Sequence, residues 1–451
     1  MSVIYIDQQP LPSTAKIHYR ISKNFKPGTT YPMLTNNNLT IVQPLKAKFL
    51  PNSEVLLTRK LIEAVGELAT YWSGSITVMM EETKEDNDQM DAKIFKLNEL
   101  PFKLEIISFD QITPALLHQH QSTLVLAAPE YRQNHISKVC KIAGVPCIYV
   151  SEYSLKTRKQ IVNVSTKNPL IRLRRIIWTY SQEYKQRKAI AMAEGLQCNG
   201  TPTYQEYKHL NRNPQLFLDT RIREDMLATE ADIERRTENR SQDMPLRLVF
   251  SGRLIKMKGA DHLLEVAREL KQLNVKFEMF ISGIGDLEEM MHQQIAANQL
   301  NDCVKMLGVP DFKTDFFPFV KNNIDLFVCC HRQGDPSCTY IETMAAGVPI
   351  VGYGNEAFQG ISEMSETGWV VPMNQPKQMA KKIAELSHNR EEIKSMSFKS
   401  LKFAQQHTFE KTFQARIKHM QAIAYSKLPN QVTESQVSDA PDMVLAYSQL
   451  P

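Results

Sequence analysis

From Leu39 onward, short apolar runs alternate with stretches of helical apolar spacing, and no other feature restricts this chain so strongly. Parallel strands cannot be joined by a tight hairpin and need a long crossover. Strand–helix alternation therefore implies parallel sheets covered by helices. In a first series, strands are expected at Leu39–Val42, Ser75–Met80, Leu104–Phe109, Thr123–Ala127 and Pro146–Val150. Between the first two, a loop over Pro44–Ser53 leads into a helix over Val55–Tyr71, with Leu57, Leu61, Ile62, Val65 and Leu68 at helical spacing. A further helix covers Asn134–Ala143.

A second series begins with a strand at Leu246–Ser251 and a helix at Asp261–Leu273. It continues with Lys276–Ser282, a helix Leu287–Leu300, and strands Val304–Leu307, Ile324–Cys329 and Pro349–Gly352. A helix Thr339–Ala346 precedes the last of these, and Gly368–Pro372 and helices over Lys377–His388 and Lys411–Tyr425 close the series. At 451 residues, two or three domains are expected. The reading is two α/β units: residues 1–228, and residues 246–410. Residues 229–245 carry Glu230, Asp232, Glu234, Arg235, Arg236, Glu238, Arg240 and Asp243 with few apolar side chains, so a linker or exposed helix is expected. Residues 411–428 form a terminal helix expected to cross back to the amino-terminal unit, and residues 429–451 a mobile tail. The first 38 residues fit no pattern.

Hydrophobic and charged residues stand at 42% and 23%, ordinary proportions that exclude disordered and fibrous classes. Seven scattered cysteines without zinc-ligand spacing suit a reduced, cytoplasmic chain. The opening Met1-Ser2-Val3-Ile4-Tyr5 has no basic then apolar leader pattern, and no apolar run reaches the roughly 20 residues of a membrane span. A net charge of +5 is too small to announce a nucleic-acid binder, and none is expected as a partner.

Two segments carry chemistry. In Ser251-Gly252-Arg253-Leu254-Ile255-Lys256-Met257-Lys258-Gly259, two cations stand at the carboxyl end of a parallel strand, where such sheets bind ligands. Arg253 offers a planar fork for phosphate oxygens and Lys258 a point charge. Solvated strand-end cations are an equally ordinary reading of this motif taken alone. The second segment runs from Gly334 through Asp335-Pro336-Ser337-Cys338-Thr339 to Glu342 and Gly347, a capped helix start whose amides suit a diphosphate. Glu342, one turn in, is placed to accept two hydrogen bonds from a ribose. A dipole-stabilising carboxylate is the plainer alternative.

Together the segments resemble the carboxyl-terminal half of retaining family-four glycosyltransferases of the GT-B fold, enzymes of bacterial surface polysaccharide and glycolipid synthesis. The resemblance runs from about Leu246 to Met420. It includes Gly252-Arg253, Lys258-Gly259, Ser282-Gly283-Ile284-Gly285-Asp286, Leu307-Gly308-Val309, Glu342 with Met344-Ala345-Ala346-Gly347-Val348-Pro349, and Gly368-Trp369-Val370-Val371-Pro372. It implies an α/β architecture of two Rossmann-like parallel-sheet domains facing a cleft, acceptor domain first and donor domain second. It also implies a metal-independent, hexosyltransferase-type enzyme without a cofactor. This enzyme would move a sugar, with retention, from a nucleotide-diphosphate sugar to a glycan or lipid-linked acceptor.

The implied donor site comprises Gly252, Gly283, Gly285, Gly308, Val309, Gly334, Pro336, Ser337, Cys338, Thr339 and Glu342, with Arg253 and Lys258 on the diphosphate. The family's first glutamate falls on Gly334, with Asp335 next to it. Either Asp335 replaces that carboxylate, or backbone amides around Pro336–Cys338 hold the sugar. In the amino-terminal half, the family's usual histidine position falls on Glu152, the glycine-rich loop after the first strand is missing, and Gly200 and Thr201 are candidates to face the cleft. These departures keep an alternative open, a non-catalytic GT-B-like module that binds a nucleotide or glycan. A nicotinamide-dependent oxidoreductase fails, because no Gly-x-Gly-x-x-Gly follows the first strand.

The charge is distributed unevenly. Residues 155–188 hold ten basic side chains against Glu183 alone, in a chain whose whole excess is +5. From Pro169 a helical stripe of Leu170, Leu173, Ile177, Tyr180 and Tyr184 is flanked by Arg172, Arg174, Arg175 and Trp178. Such a helix suits an anionic membrane surface, which would place the chain peripherally on the inner membrane face. A domain-packing helix with a solvated cationic face is the other reading.

Overall fold

The computed structural model describes residues 37–85, 92–238, 240, 243–334 and 338–426. The expectations for residues 1–36 and for the tail from residue 429 lie outside them.

The amino-terminal sheet is built on β1 (Asn38–Leu50), β2 (Glu54–Thr58), β3 (Ile76–Glu82), β4 (Ala92–Lys96) and β5 (Lys103–Ile106). It continues with β6 (Ser122–Ala127), β7 (Cys147–Ser151), β8 (Gly195–Asn199) and β9 (Pro214–Phe217). Parallel pairing gives the order β5-β3-β1-β6-β7-β8-β9, while β2 and β4 add an antiparallel extension to the far end of β1. The expected loop over Pro44–Ser53 is therefore mostly strand. Proline lacks the ladder N–H, and Pro44 stands where the β1–β3 register slips between Val42 and Lys46, after which pairing resumes at Lys46–Glu81. The turn falls only at Pro51, Asn52 and Ser53, the last two with positive φ. Val55 and Leu57 also depart from expectation: both are buried on alternate positions of β2, and the helix starts at Arg59, capped by Thr58. Their period of two was hidden inside a longer run that also matched a helix.

The carboxyl-terminal sheet comprises β10 (Leu246–Ser251), β11 (Phe277–Ser282), β12 (Val304–Gly308), β13 (Leu326–Cys329), β14 (Ile350–Tyr353) and β15 (Trp369–Val371). All its pairs are parallel, in the order β12-β11-β10-β13-β14-β15. Strand order reverses between β10 and β13, and in open parallel sheets that reversal leaves a crevice at the carboxyl ends. A continuous apolar core fills both faces of this sheet.

The stretch expected to be a linker or exposed helix is a docked helix, Glu230–Glu238, with Ile233 and Arg236 buried. The Arg236 guanidinium donates to the carbonyls of Lys321 (2.8 Å), Ala346 (3.0 Å) and Gly347 (2.5 Å), so a charged side chain caps backbone that no helix satisfies. The final helix, Phe409–Tyr425, inserts Phe413, Ile417, Met420 and Ile423 into the amino-terminal core.

The helix Pro169–Met192 reverses the usual amphipathic arrangement. Its inward residues are Thr179, Glu183, Gln186, Ala189 and Ile190, whereas Leu170 (77% exposed), Ile177 (61%), Tyr184 (62%), Leu173, Trp178 and Tyr180 face outward. The stripe therefore does not pack between domains. Glu183, the single acid of the basic segment, is buried. It is bonded by Arg158, by Arg187 (3.2 Å) and by the Tyr207 hydroxyl (3.0 Å), which leaves the surface without its counter-charge.

Candidate functional site

Three loops at the carboxyl end of the second sheet are joined backbone to backbone. Gly252 N–H donates to Ser282 O (3.1 Å), Gly283 N–H to Gly308 O (2.7 Å), and Leu254 N–H to Ile284 O (2.9 Å). The approach is so close that a Cβ on Gly283 would lie 1.9 Å from Gly252 O. Gly259, with φ of 68°, presses equally hard on Cys330 O, which ties the basic loop to the end of β13 across the strand-order reversal. Arg253 projects from this platform, exposed and without a side-chain partner among the described residues, while Lys258 is buried. Arg332, which the sequence gave no reason to single out, secures the arrangement. Its fork grips both oxygens of Asp261 (2.8 and 2.9 Å) and its N–H donates to Met257 O.

Glu342 lies on the facing helix, Cys338–Ala345, only 7% exposed. It lines a pocket with Ser251, Thr339, Phe312 and Phe316. Arg221 donates to it through Nε (2.8 Å) and Nη2 (3.5 Å), and the same guanidinium stacks on Phe312, 3.5 Å from the ring centroid. Burial raises the Glu342 carboxyl above the ordinary range, and Arg221 works against that shift. Arg221 was not foreseen, because it stands outside every motif and reaches Glu342 only through the fold. Val309 and Gly308 sit exposed or open at the end of β12. Asp335, Pro336 and Ser337 lie outside the described residues.

On the amino-terminal side, Glu152 follows β7, is exposed, and accepts from Asn199 Nδ2 (2.9 Å). Asn199 Oδ1 in turn accepts from Asp219 N–H (3.2 Å), and Asp219 pairs with Lys60 (2.5 Å) and lies 3.8 Å from the Cys338 thiol. A small cavity lined by Asn199, Gly200, Thr201, Asp219, Ile341 and Ala357 places Gly200 and Thr201 against the carboxyl-terminal domain. Where a glycine-rich loop was missing from the sequence, a hairpin and the start of the Arg59–Tyr71 helix bring Lys60 instead.

Further contacts cross between the domains around Gly334. Thr157 Oγ1 donates to Gly334 O (3.2 Å), Gln160 Nε2 to Arg332 O (3.4 Å), and Lys156 pairs with Glu356 Oε1 (2.7 Å). Among the described residues, no group of three His, Cys, Asp or Glu side chains is placed to hold a metal ion. No helix of these residues is long and apolar enough to cross a membrane.

Comparison with known proteins adds a family to this geometry. Residues 232–402 match the family described as "Glycosyl transferases group 1". A stretch of 151 residues is 30% identical to the putative colanic acid biosynthesis glycosyltransferase WcaL of Salmonella typhimurium, covering 32% of this chain. The amylovoran biosynthesis glycosyltransferase AmsK of Erwinia amylovora is 30% identical over 156 residues, 33% of this chain. The aligned stretches span 36% and 38% of those relatives' own lengths. Among solved structures, Anabaena Alr3699/HepE in complex with UDP superposes with a TM-score of 0.58 at 14% identity, over 86% of this chain and 99% of that one. WaaG, a glycosyltransferase involved in lipopolysaccharide biosynthesis, gives 0.54 at 12% identity, over 85% and 99%. The fold is GT-B, two parallel α/β domains, and the match to glycosyl transferases group 1 falls on residues 232–402, most of the second domain.

Proposed function

We propose that this chain, with a group 1 glycosyltransferase domain on a GT-B fold, transfers a hexosyl group, with retention, from a nucleotide-diphosphate sugar. The acceptor would be a glycan or lipid-linked sugar of a surface polysaccharide or glycolipid. The observation that carries this reading is the placement of Arg253 and Lys258 on a loop at the β10–β13 reversal, held there by backbone contacts, with Glu342 on the Cys338–Ala345 helix lining a pocket beside Ser251. Glu342 accepts from the ribose hydroxyls, while Arg253, Lys258 and the first amides of the Cys338–Ala345 helix face the diphosphate. As the bond from the anomeric carbon to the diphosphate oxygen breaks, negative charge grows on that oxygen and these donors stabilise it. The acceptor oxygen bonds the anomeric carbon on the same face, and its proton passes to the departing diphosphate. Glu152 accepts from a sugar hydroxyl on the acceptor side. Charge compensation by fixed cations and amides leaves no step to a metal or cofactor, and transfer should persist in excess EDTA.

The test is incubation with UDP-, GDP- and ADP-sugars, following nucleotide release and thermal shift. Stabilisation by one nucleoside diphosphate supports the reading, and indifference to all of them overturns it.

The reading extends to location. The outward stripe of Leu170, Leu173, Ile177 and Trp178, beside the exposed cations Lys167, Arg174, Lys185 and Lys188, suits an anionic membrane surface at which a lipid-linked acceptor would be met. Arg172 and Arg175 bond Thr166 and are unsuitable probes. Changing Leu173 and Ile177 to Asp should abolish co-sedimentation with phosphatidylglycerol vesicles. Equal pelleting of variant and parent would remove the membrane contact.

A further inference from the structure

Gly334 stands where the resemblance calls for a carboxylate, and the structure shows what fills the space. A Cβ built on Gly334 would lie 2.8 Å from Glu356 Oε2 and 3.3 Å from Glu356 Cβ. No side chain fits at position 334 while Glu356 keeps this pose, so the bare glycine and the carboxylate two loops away belong together. Glu356 opens the helix that follows β14, and its backbone is fixed by Asn355. The Asn355 side-chain oxygen caps that helix at Ala357 N–H (3.1 Å) and Phe358 N–H (3.0 Å). Its amide nitrogen donates to His331 O (3.0 Å), on the loop that leads to Gly334. Glu356 Oε1 is engaged by Lys156 from the other domain. Glu356 Oε2 is buried and has no hydrogen-bond partner among the described residues. A buried carboxylate oxygen without a donor is costly unless a ligand supplies one.

Resting on the glycosyltransferase reading above, we propose that Glu356 is a sugar-binding residue. It delivers from the β14 loop the carboxylate that Gly334 lacks, and its Oε2 accepts from hydroxyls of the transferred sugar. The donor sugar then carries free hydroxyls on the face turned to Glu356. Lys156, contributed by the amino-terminal domain, holds the other oxygen and so couples sugar contact to the apposition of the two domains.

The test uses the full chain and whichever of UDP-, GDP- or ADP-glucose binds it most tightly, with the matching bare diphosphate as control. Glu356→Gln should weaken nucleotide-sugar binding and lower kcat/KM by about 10- to 100-fold, the range for losing one hydrogen bond to a charged group. Binding of the bare diphosphate should stay within about twofold, since the groups proposed to hold it, Arg253, Lys258, Glu342 and the helix amides, do not include Glu356. The double change Gly334→Glu with Glu356→Ala should recover part of the loss, because it moves the carboxylate back and clears the clash. Lys156→Met should cost much less than Glu356→Gln. Unchanged sugar binding in Glu356→Gln, or an equal loss in Lys156→Met, would overturn the assignment, the latter by making the residue an interdomain strut. Failure of the wild-type chain to bind any of the three bare diphosphates would instead overturn the reading on which the assignment rests.

Discussion

The two domains answer the same demand, a parallel sheet with loops converging at one edge, by different means. In the carboxyl-terminal domain the loops after β10, β11 and β12 are fixed by main-chain hydrogen bonds and by glycines pressed against carbonyls. In the amino-terminal domain the corresponding edge is organised by side chains, with Glu152 on Asn199, Asn199 on Asp219 and Asp219 on Lys60. A backbone-fixed site admits few substitutions and leaves glycine signatures. A side-chain network can be assembled from many residue types and leaves none. The difference suits a division in which a common donor group is held by the rigid half and a variable acceptor by the adaptable one.

The strongest attempt to break this contrast is made on the rigid half. Arg253→Ala should lower turnover about 10²- to 10³-fold, the scale of losing one transition-state donor, and Lys258→Ala should do the same. Initial rates under saturating donor measure it, and unchanged rates would mean the platform holds something other than the diphosphate. Next in size is Arg236→Met, which strands the carbonyls of Lys321, Ala346 and Gly347. A loss of roughly 3 kcal/mol is expected, lowering the apparent Tm by about 6–12 °C without changing KM for the donor if the protein is assayed cold. A shift below about 2 °C would show that water replaces the guanidinium at no cost.

A smaller effect is expected on the adaptable half. Glu152→Gln should raise KM for the acceptor about tenfold and leave nucleotide binding alone. A loss of nucleotide binding instead would dissolve the division of labour. Arg221→Met probes the seam between the halves. Burial already raises the Glu342 carboxyl and Arg221 opposes this, so removing Arg221 should move the acid limb of nucleotide binding to higher pH. Binding profiles against pH for variant and parent should be displaced, and superimposable curves would show that Arg221 does not tune Glu342.

The smallest expected effect concerns the helix that joins the halves. His419, whose Nε2–H donates to Asn213 O, and His407, just ahead of that helix, are both depressed to about 4 by burial. A depressed folded value means stability is present above the unfolded value near 6.5 and is lost as pH falls toward about 4. His419→Gln should flatten the fall of Tm across that window. An unaltered slope would assign the acid sensitivity elsewhere.

Much of this was legible before the fold was known. Strand positions in the second domain were read to within one or two residues because buried parallel strands are short apolar runs bounded by glycine and proline, as at β10 and β14. The first domain was read less well at β1 and β2. Whether Pro44 interrupts a strand or begins a loop depends on whether β3 lies alongside to resume the pairing. The helix Glu230–Glu238 was expected as a linker or an exposed helix, because its charge hid a buried Arg236 whose three carbonyl partners stand far along the chain.

By itself, then, the sequence determined what local backbone physics determines: the alternation that makes parallel sheets, the glycines that let loops touch, and the register that puts Arg253 and Lys258 at a strand end. Only the tertiary structure decided which side chains meet across that framework. It set Arg221 on Glu342 and Phe312, turned Leu170, Ile177 and Trp178 outward while Glu183 went in, and placed Glu356 in the space above Gly334. Periodicity and backbone sterics act over a few residues and are written in order along the chain. A carboxylate that arrives from another loop is positioned by packing alone, and nothing in its own neighbourhood of sequence records where it will point.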